Sequence, residues 1–436
     1  MKEEIPDNEL TTVIIPPEDG SIKRFSPNIR TRFTLTNTFA ALQHPNYKLW
    51  FWGQMISLFG SWMQSTALAF FIFELTKSPA FLGYAGFAGG IPAWLFTFYG
   101  GVIADRFPRR TILIYIQFFM MIMAFTLAVM TFTEIIEPWH ILVFAFLMGI
   151  ITSIDAPTRH SFVTELVERK NLVNAIALNS TMFNTATAIG PALGGIVYAL
   201  FGPAWCFTIN GFSYLAVIIN LNQMKLNTVK NSEVKKSAFA EFLEAFRYLR
   251  TQKNIISILT VIAMLSIFGM SLVTLFPAWA VDILNGDSTT NGFMQSARGF
   301  GAVIFALILA TLSHYIIRGK YLLISAGAMP VMIFIFSFNR SLIISLLLLV
   351  IIGGLIIAQF NLANGLIQTM VEEKFRGRVM SFYTFSFFAL FPLGSLLIGS
   401  LAENFSVPTA IIFNAVILFS YFVIFYLKHP ELKKIK

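Results

Sequence analysis

The chain alternates between long apolar runs and short polar segments. Twelve apolar runs are close to the length of about 20 residues that crosses a bilayer as a helix, and they carry almost no charge. This pattern predicts an all-α polytopic membrane protein with twelve transmembrane helices. The predicted spans are 49–75, 80–104, 111–132, 139–158, 173–200, 204–222, 256–282, 290–314, 321–338, 342–369, 379–401 and 408–427.

The positions of Lys and Arg predict how these spans are oriented. With the N-terminus inside, the inner segments hold 28 of the 31 basic residues, and the outer loops hold only Lys77 and Arg340. The remaining one, Arg298, lies within a span. Positive charge accumulates on the cytoplasmic side of membrane proteins. The distribution therefore predicts a multi-pass membrane protein with both termini in the cytoplasm.

Composition narrows the class further. Hydrophobic residues make up 56% of the 436 positions and charged residues 12%, whereas a soluble domain carries about 25%. The net charge of +9 follows from the inner loops and gives no reason to expect a nucleic-acid partner. Cys206 is the single cysteine, which excludes an internal disulfide and a Cys-based metal site. No phosphate-binding loop, HExxH or GxSxG motif occurs, so we expect neither an enzyme nor a metal or cofactor.

The polar segments divide the chain into five parts. The first is polar, acidic and Pro-containing, which is typical of a disordered cytoplasmic tail. The longest internal polar segment separates six spans from six. The predicted parts are a tail (1–45), an N-terminal six-helix bundle (46–222), a cytoplasmic linker (223–254), a C-terminal six-helix bundle (255–428) and a basic tail (429–436).

The linker contains an amphipathic stretch, Ala238–Arg250. Phe239, Phe242, Phe246 and other apolar residues fall on one face at helical spacing, and basic residues flank that face. This arrangement is typical of a helix lying on the inner leaflet of a membrane. A site for a regulatory partner is the alternative.

The two halves of the chain repeat weakly. Gly190 and Gly195 match Gly394 and Gly399 at an offset of 204 residues, and LVERKNLVNAIALNS around 166 resembles MVEEKFRGRVMSFYT around 370. At an offset of 209, Gly83 and Gly90 match Gly292 and Gly299. Together these matches predict two six-helix repeats in parallel orientation, with a substrate site where they meet.

The segment GGVIADRFPRR (100–110) concentrates charge between spans two and three. It resembles the loop at this position in major facilitator transporters, although Pro108 stands where that family usually has Gly. DAPTRHSF (155–162), GPALGG (190–195), NGFSYLAV (210–217) and RGRVMS (376–381) are similar to the twelve-span secretion-effector branch of that superfamily, which includes the enterobactin (siderophore) exporter. The resemblance extends over about residues 40–430.

The resemblance implies a conformational latch on the cytoplasmic side. Asp105 would face the N-terminus of span eleven and pair with a nearby Arg when the cytoplasmic ends of the two halves come together. A carboxylate is stabilised at a helix N-terminus. The alternative is a solvated loop acid. The residues assigned to the latch are Gly101, Asp105, Arg106, Arg109, Arg110, Arg376 and Arg378.

Span five carries a group of small residues around a proline. Gly190 and Gly194 have the small-xxx-small spacing that permits close helix packing, and Gly195 follows. Pro191 removes a backbone hydrogen bond and can bend a helix. Simple packing and a gating bend are both consistent with this group.

Polar side chains within spans are candidates for lining a central cavity. Span one carries a polar stripe with a spacing of three to four residues, which faces either a neighbouring helix or water. Arg298 is costly inside a span unless it pairs or reaches water, so it either holds an anionic substrate or serves as a structural partner. The candidates are Gln54, Ser57, Ser61, Gln64, Asn184, Gln295 and Arg298. Relatives often carry an acid at Ser61.

These observations predict a secondary active transporter that exports small amphipathic molecules, siderophore or drug-like, by alternating access. Proton antiport is implied by the resemblance alone. We expect a small-molecule substrate, surrounding membrane lipids and a protein that works as a monomer. Two alternatives stay open: a lysolipid or lipid flippase, and a non-transporting membrane scaffold or sensor.

Overall fold

The computed structural model describes residues 39–226, 238–312, 318–429 and 431, without the side chains of residues 97–99, 101, 102, 105, 238–243 and 245. The predicted N-terminal tail therefore lies outside the described residues, as does part of the linker. Contacts group the chain from Ala40 onward into one unit. The helices of that unit follow the apolar runs.

The first six long helices run from Pro45 to Gln223. Four of them start at a proline, which suits the first turn because its missing N–H has no partner there. They are α1 (Pro45–Thr76), α2 (Pro79–Arg106), α3 (Arg109–Phe132), α4 (Pro138–Leu166), α5 (Leu172–Phe201) and α6 (Pro203–Gln223).

A shorter helix precedes the second set of long helices. It is α7 (Ala238–Thr251), the amphipathic stretch of the linker. The others are α8 (Lys253–Ile283), α9 (Ser288–Leu312), α10 (Arg318–Phe338), α11 (Leu342–Met370), α12 (Arg376–Phe388), α13 (Phe391–Asn404) and α14 (Val407–Lys428). The predicted eleventh span is thus divided between α12 and α13. The division at Ala389–Leu390 precedes Pro392, which cannot donate to the preceding turn.

Eleven of the helical segments in the described part of the chain are long and apolar enough to cross a membrane. Helix α2, 28 residues long, occupies the place of the predicted second span. Helix α8 is not uniformly α-helical, because it contains π turns at Leu265–Gly269 and Trp279–Ile283 and a 3-10 segment between them. The prediction of an all-α membrane protein is confirmed.

Packing joins the helices into two bundles. In the first, α2 packs on α4, α3 on α6, and α1 on α5 and α6; in the second, α9 and α10 pack on α11, and α10 on α14. Between the bundles, α1 touches α8 and α9 and α2 touches α8, but the two largest contacts are α2 with α13 and α5 with α9. We call this junction the seam.

The two ends of the bundles are called the inner and outer sides. On the inner side α1 begins and α6 ends, since Asn46 donates its side-chain amide to the Lys225 carbonyl at 2.8 Å. The second bundle has the same arrangement, because Ser257 near the start of α8 lies 3.2 Å from Nε2 of His429, which follows α14. The inner side is the one that the distribution of basic residues predicts to be cytoplasmic.

Candidate functional site

The seam is held by very close backbone approaches on its outer half. A Cβ added at Gly292 of α9 would lie 2.6 Å from the Pro191 carbonyl and 3.1 Å from the Cα of Gly195. At the other seam contact, a Cβ at Gly399 of α13 would lie 2.8 Å from the Cα of Gly83 in α2. These four glycines are the pairs that the repeat relates. The two seam contacts are therefore counterparts of each other.

Hydrogen bonds reinforce both contacts. Ser288 donates to the Gly195 carbonyl at 3.1 Å, and the Ala192 amide donates to Ser296 at 2.9 Å. At the outer end of α2, the Glu403 carboxylate accepts a 2.6 Å hydrogen bond from Ser78. A polar bond of this kind is short and directional. These bonds hold the outer ends of the two seam contacts together.

The described seam contacts reach about halfway through the bundles. Trp94 of α2 donates its indole N–H to the Ala389 carbonyl at 2.5 Å, where α12 ends. At the other contact, a Cβ on Gly299 would lie 2.6 Å from the Thr187 carbonyl. Trp94 lies 12 residues before the end of α2 at Arg106, which is about 18 Å of helix. The described contacts thus hold the outer half of the seam.

The polar stripe of α1 is buried against neighbouring helices. Gln54, Ser57 and Gln64 are 1%, 4% and 8% exposed. Gln64 accepts a 2.8 Å hydrogen bond from Asn210 of α6, and Ser61 lies 3.2 Å from the Tyr214 hydroxyl of the same helix. In this structure, the stripe therefore makes helix contacts inside the first bundle, and its role in lining a cavity stays a prediction.

Gln54 belongs to a buried ionic cluster with α4. Arg159 donates to the Gln54 amide oxygen at 2.7 Å and also pairs with Asp155. Asp155 is 6% exposed, and among the described residues it is the one acid or base that is fully buried. Its Oδ1 has no hydrogen-bond partner. A buried charge is expensive unless it is paired, and Arg159 supplies the opposite charge here.

The cavity candidates of α5 and α9 lie near the seam. Asn184 is half-buried on α5. Gln295 is 6% exposed and accepts a 3.4 Å hydrogen bond from Thr66 of α1, across the two bundles. Arg298 is half-buried, and its Nε has no hydrogen-bond partner. These positions place Gln295 and Arg298 on the side of α9 that faces the interior.

The basic residues of the 100–110 segment connect helices of the first bundle. Arg109 pairs with Glu165 at the end of α4, and Arg110 donates to the Asn222 carbonyl of α6 at 2.8 Å. Arg106 is exposed. The side chains of Asp105 and residue 101 lie outside the described residues, so the latch stays a prediction.

The start of α12, where the latch would close, is occupied by the linker helix. Glu244 of α7 pairs with Arg378 at 2.9 Å and with Lys374 at 3.0 Å, while Arg376 is exposed. The hydrogen bond from Lys374, the charge of Lys374 and the contact with Arg378 lower the pKa of Glu244. Tyr248 of α7 also stacks on Phe375, with ring centroids 4.2 Å apart. Helix α7 is therefore docked on the second bundle.

The small residues of span five divide between two neighbours. Gly190 and Gly194 face α1, since a Cβ there would lie 2.6 Å from Trp62 and 2.7 Å from the Met63 carbonyl. Gly195 and Pro191 face α9 across the seam. Helix α5 is unbroken through Pro191. The packing interpretation describes this structure, and the gating bend stays a prediction.

Several residues of this region were not among the sequence-based candidates. Asn210 and Tyr214 complete the α1 stripe, Glu403 closes the outer end of the seam, and Glu244 holds α12. Asn291 is fully buried with both side-chain amide atoms unpartnered. Asparagine within an apolar run is the signal that would have indicated Asn210, whereas Asn291 follows the polar segment 285–290 and has no such signal.

Two helical bundles that meet along a symmetric seam define a membrane transporter of the major facilitator fold. Solved structures share this fold. A bacterial homologue of the lysosomal transporter Spinster has a TM-score of 0.66 at 15% identity, covering 92% of this chain and 97% of the other. The nucleoside transporter NupG has a TM-score of 0.65 at 15% identity, covering 92% and 100%.

The sequence comparison identifies the family. The profile described as transmembrane secretion effector matches residues 36–436, and the chain belongs to this family of major facilitator transporters. The staphyloferrin A transporter of Staphylococcus aureus is 23% identical, covering 88% of this chain and 97% of the relative. Macrolide efflux protein A of Streptococcus pyogenes is 23% identical (84% and 92%), and the enterobactin exporter of Salmonella typhi is 24% identical (84% and 88%).

Proposed function

We propose that this protein exports small amphipathic molecules, siderophore or drug-like, across a bacterial inner membrane by alternating access. The observation that carries the proposal is the seam. Its two contacts are related by the repeat and hold the outer half of the two bundles together. Rocking of one bundle against the other would exchange this seal for one on the inner side. The protein works as a monomer with both termini in the cytoplasm.

The substrate class follows from the relatives. Their names refer to a siderophore transporter, a siderophore exporter and a macrolide efflux protein. All are about one quarter identical or less to this chain over more than four fifths of its length. The range of substrates in these names supports export of compact molecules with both polar and apolar parts. It favours neither siderophores nor drug-like molecules.

Proton antiport is the proposed energy source, and Asp155 is the residue that supports it. Its carboxylate is buried, is held by Arg159 and leaves one oxygen without a partner. Arg159 also donates a hydrogen bond to Gln54 of α1, so the cluster connects α4 with α1. A buried ion pair that connects two helices in this way can couple protonation to helix movement.

A comparison of exported metabolites tests the function in cells. A deletion strain and its parent are grown at low and high iron, and their culture media are compared. We expect one small amphipathic molecule to be depleted from the medium of the deletion strain and restored by the wild-type gene. If both media hold the same molecules under both conditions, the export proposal is wrong.

Proteoliposomes test the energy source separately. The purified protein is reconstituted into liposomes, the depleted molecule is added, and a pH gradient is imposed in either direction. We expect uptake to follow the gradient and to stop when a protonophore removes it. Transport that ignores the gradient would rule out proton antiport while leaving export intact.

A lysolipid flippase is the second candidate because of an apolar groove between α2, α3 and α4 near the inner side. Ile103, Tyr115, Phe119 and Ile154 are among the residues that line it. Such a surface suits an acyl chain. Flipping of labelled lysolipid in reconstituted liposomes, compared with empty ones, distinguishes this candidate from the export of soluble molecules.

A further inference from the structure

Three polar residues form a stripe on α9. Asn291, Gln295 and Arg298 follow one another at spacings of four and three residues, which places them on one face of a helix. The opposite face exposes Phe293, Phe300 and other large apolar side chains. The stripe therefore faces the interior of the protein, and the exposed face is the one that lipid would cover.

The neighbours of α9 locate the stripe more closely. Gly292 and Gly299 face α5 across the seam, and Gly301 faces α11, where a Cβ would run into the backbone of Val350. The stripe lies between these two contacts. Gln295 reaches Thr66 of α1 in the other bundle. Arg298 lies ten residues from the start of the 25-residue helix, about 15 Å along its axis. Arg298 is therefore at mid-depth, where the two bundles meet, and Asn291, three residues from the same end, lies nearer the outer side.

The hydrogen-bonding capacity of the stripe is largely unused. Asn291 is 0% exposed, yet neither its amide oxygen nor its amide nitrogen has a partner. Arg298 makes no ion pair or hydrogen bond with any described side chain, and its Nε is buried and unpartnered. Buried polar groups in native proteins nearly always have partners. An orphaned amide and an orphaned guanidinium on one helix face, about two turns apart, are therefore binding groups whose partner comes from outside the chain.

The fold itself does not require these polar residues. At the repeat offset of 209, the positions equivalent to Asn291, Gln295 and Arg298 in α2 are Leu82, Gly86 and Gly89. Both helices make the same close contacts, since Gly149 packs on Gly89 as Gly353 packs on Arg298. The first bundle thus forms the same packing with apolar and small residues. The polar stripe is therefore present in the second bundle and has no equivalent in the first.

We propose that Arg298 and Asn291 form a recognition site for the anionic group, a carboxylate, of the transported molecule. A guanidinium presents paired donors that match the two oxygens of a carboxylate. The Asn291 amide, about two turns away, binds a second polar group of the same molecule. The site is asymmetric, so its ligand has one acidic end and one apolar end. This inference rests on the proposed function only in naming the ligand as the exported molecule.

A pair of fluorescent probes that differ in one carboxylate tests the proposal. Dansyl-phenylalanine has an acidic end and an apolar body, and its methyl ester has the same body without the charge. Binding of each to the purified full chain in detergent is followed by fluorescence. We expect the wild-type protein to bind the acid at least tenfold more tightly than the ester.

Substitutions then assign the preference to the stripe. In Arg298→Gln, we expect affinity for the acid to fall by roughly 10- to 150-fold, the loss that removing a charge-assisted hydrogen bond produces. Affinity for the ester should stay within about twofold. Arg298→Lys keeps the charge but loses the paired donors, so its affinity for the acid should be intermediate. Asn291→Leu, which matches Leu82 of the first bundle, should weaken binding of both probes, because Asn291 holds a polar group other than the carboxylate.

The control is Arg340→Gln. Arg340 lies in an outer loop, with its guanidinium 5.5 Å from the Trp279 ring centroid, and its loss removes the same charge far from the stripe. This variant should bind both probes as the wild type does. If Arg298→Gln fails to fold, the wild-type and Arg298→Lys measurements still decide the matter.

Two results would overturn the proposal: a wild-type protein that binds the acid no better than the ester, or a folded Arg298→Gln variant that keeps the preference. Transport of both probes is measured in proteoliposomes alongside binding. If the binding preference is present but neither probe is transported, the anion site stands and the export proposal fails for these molecules.

Discussion

The close contacts at the seam let us predict how one added methyl group at Gly292 shifts the balance between conformations. In Gly292→Ala, the new carbon would lie 2.6 Å from the Pro191 carbonyl oxygen. A carbon and a carbonyl oxygen normally approach to about 3.3 Å, so α5 and α9 must separate by about 0.7 Å. Overpacking of this kind costs about 1–3 kcal/mol. Because the contact exists only while the outer side is closed, the variant should favour the outward-open form by roughly 5- to 150-fold.

Labelling of a cysteine inside the seam measures this shift. Cys206→Ala removes the native thiol, which is buried. Ser395→Cys places a new thiol in α13 at a position that is 0% exposed and faces α2. A membrane-impermeant maleimide added from the outer side should label this cysteine faster in Gly292→Ala than in the parent. The rate should rise in proportion to the outward-open population.

Gly194→Ala is the matched control. Its added carbon would lie 2.7 Å from the Met63 carbonyl, a contact of similar closeness, but between α5 and α1 within the first bundle. This variant should lose stability without faster labelling. If Gly292→Ala folds and is labelled at the parent's rate, the seam is not a gate on the outer side.

Three further predictions concern charged groups on the inner side. Asp105→Asn should abolish most transport with normal membrane insertion, because an amide cannot replace the charge of the latch; full transport activity would refute the latch. Asp155→Asn should uncouple transport from a pH gradient, because Arg159 loses its carboxylate partner; an unchanged response would exclude Asp155 from coupling. Glu244→Gln should raise hydrogen exchange in α7, whereas Glu373→Gln, an exposed acid of the same region, should not.

Docking of α7 should also depend on pH. The pKa of Glu244 is lowered in the folded protein from an ordinary value of 4.5. The contact with Lys374 and Arg378 is therefore fully present above that ordinary value, and it is lost as the pH falls through the lowered pKa. The protection factors of α7 amides, which correct the exchange rates for their intrinsic dependence on pH, should be constant from neutral pH down to the ordinary value and should fall below it. Constant protection factors throughout would show that the ion pairs contribute nothing to docking.

The arrangement of the membrane helices could be predicted from the sequence because apolar runs of bilayer length leave few alternatives. The repeat offsets also indicated which glycines are equivalent, and Gly83 with Gly399 and Gly195 with Gly292 meet in the structure. These matches can be found in the sequence because close backbone contact accepts only small residues, so glycine occurs at equivalent positions of the two repeats.

The partners of polar residues could not be predicted in the same way. Helical periodicity places Gln54 and Gln64 on one face of α1, but it does not indicate that α4 and α6 cover that face. Arg109 and Arg378 were grouped with Asp105, yet they pair with Glu165 and Glu244, which are far away in the sequence. Long flexible side chains can reach several acids, and only the fold decides which one is near.

Distance measurements between spin labels test the central claim of alternating access most directly. One label pair spans the outer end of the seam, at Lys77 and Asn404, and the other spans the inner end, at Lys170 and Thr311; all four are exposed. Both pairs are compared with and without Gly292→Ala, in a Cys206→Ala background. Alternating access predicts that the substitution lengthens the outer distance and shortens the inner one together. A longer outer distance with an unchanged inner distance would contradict it.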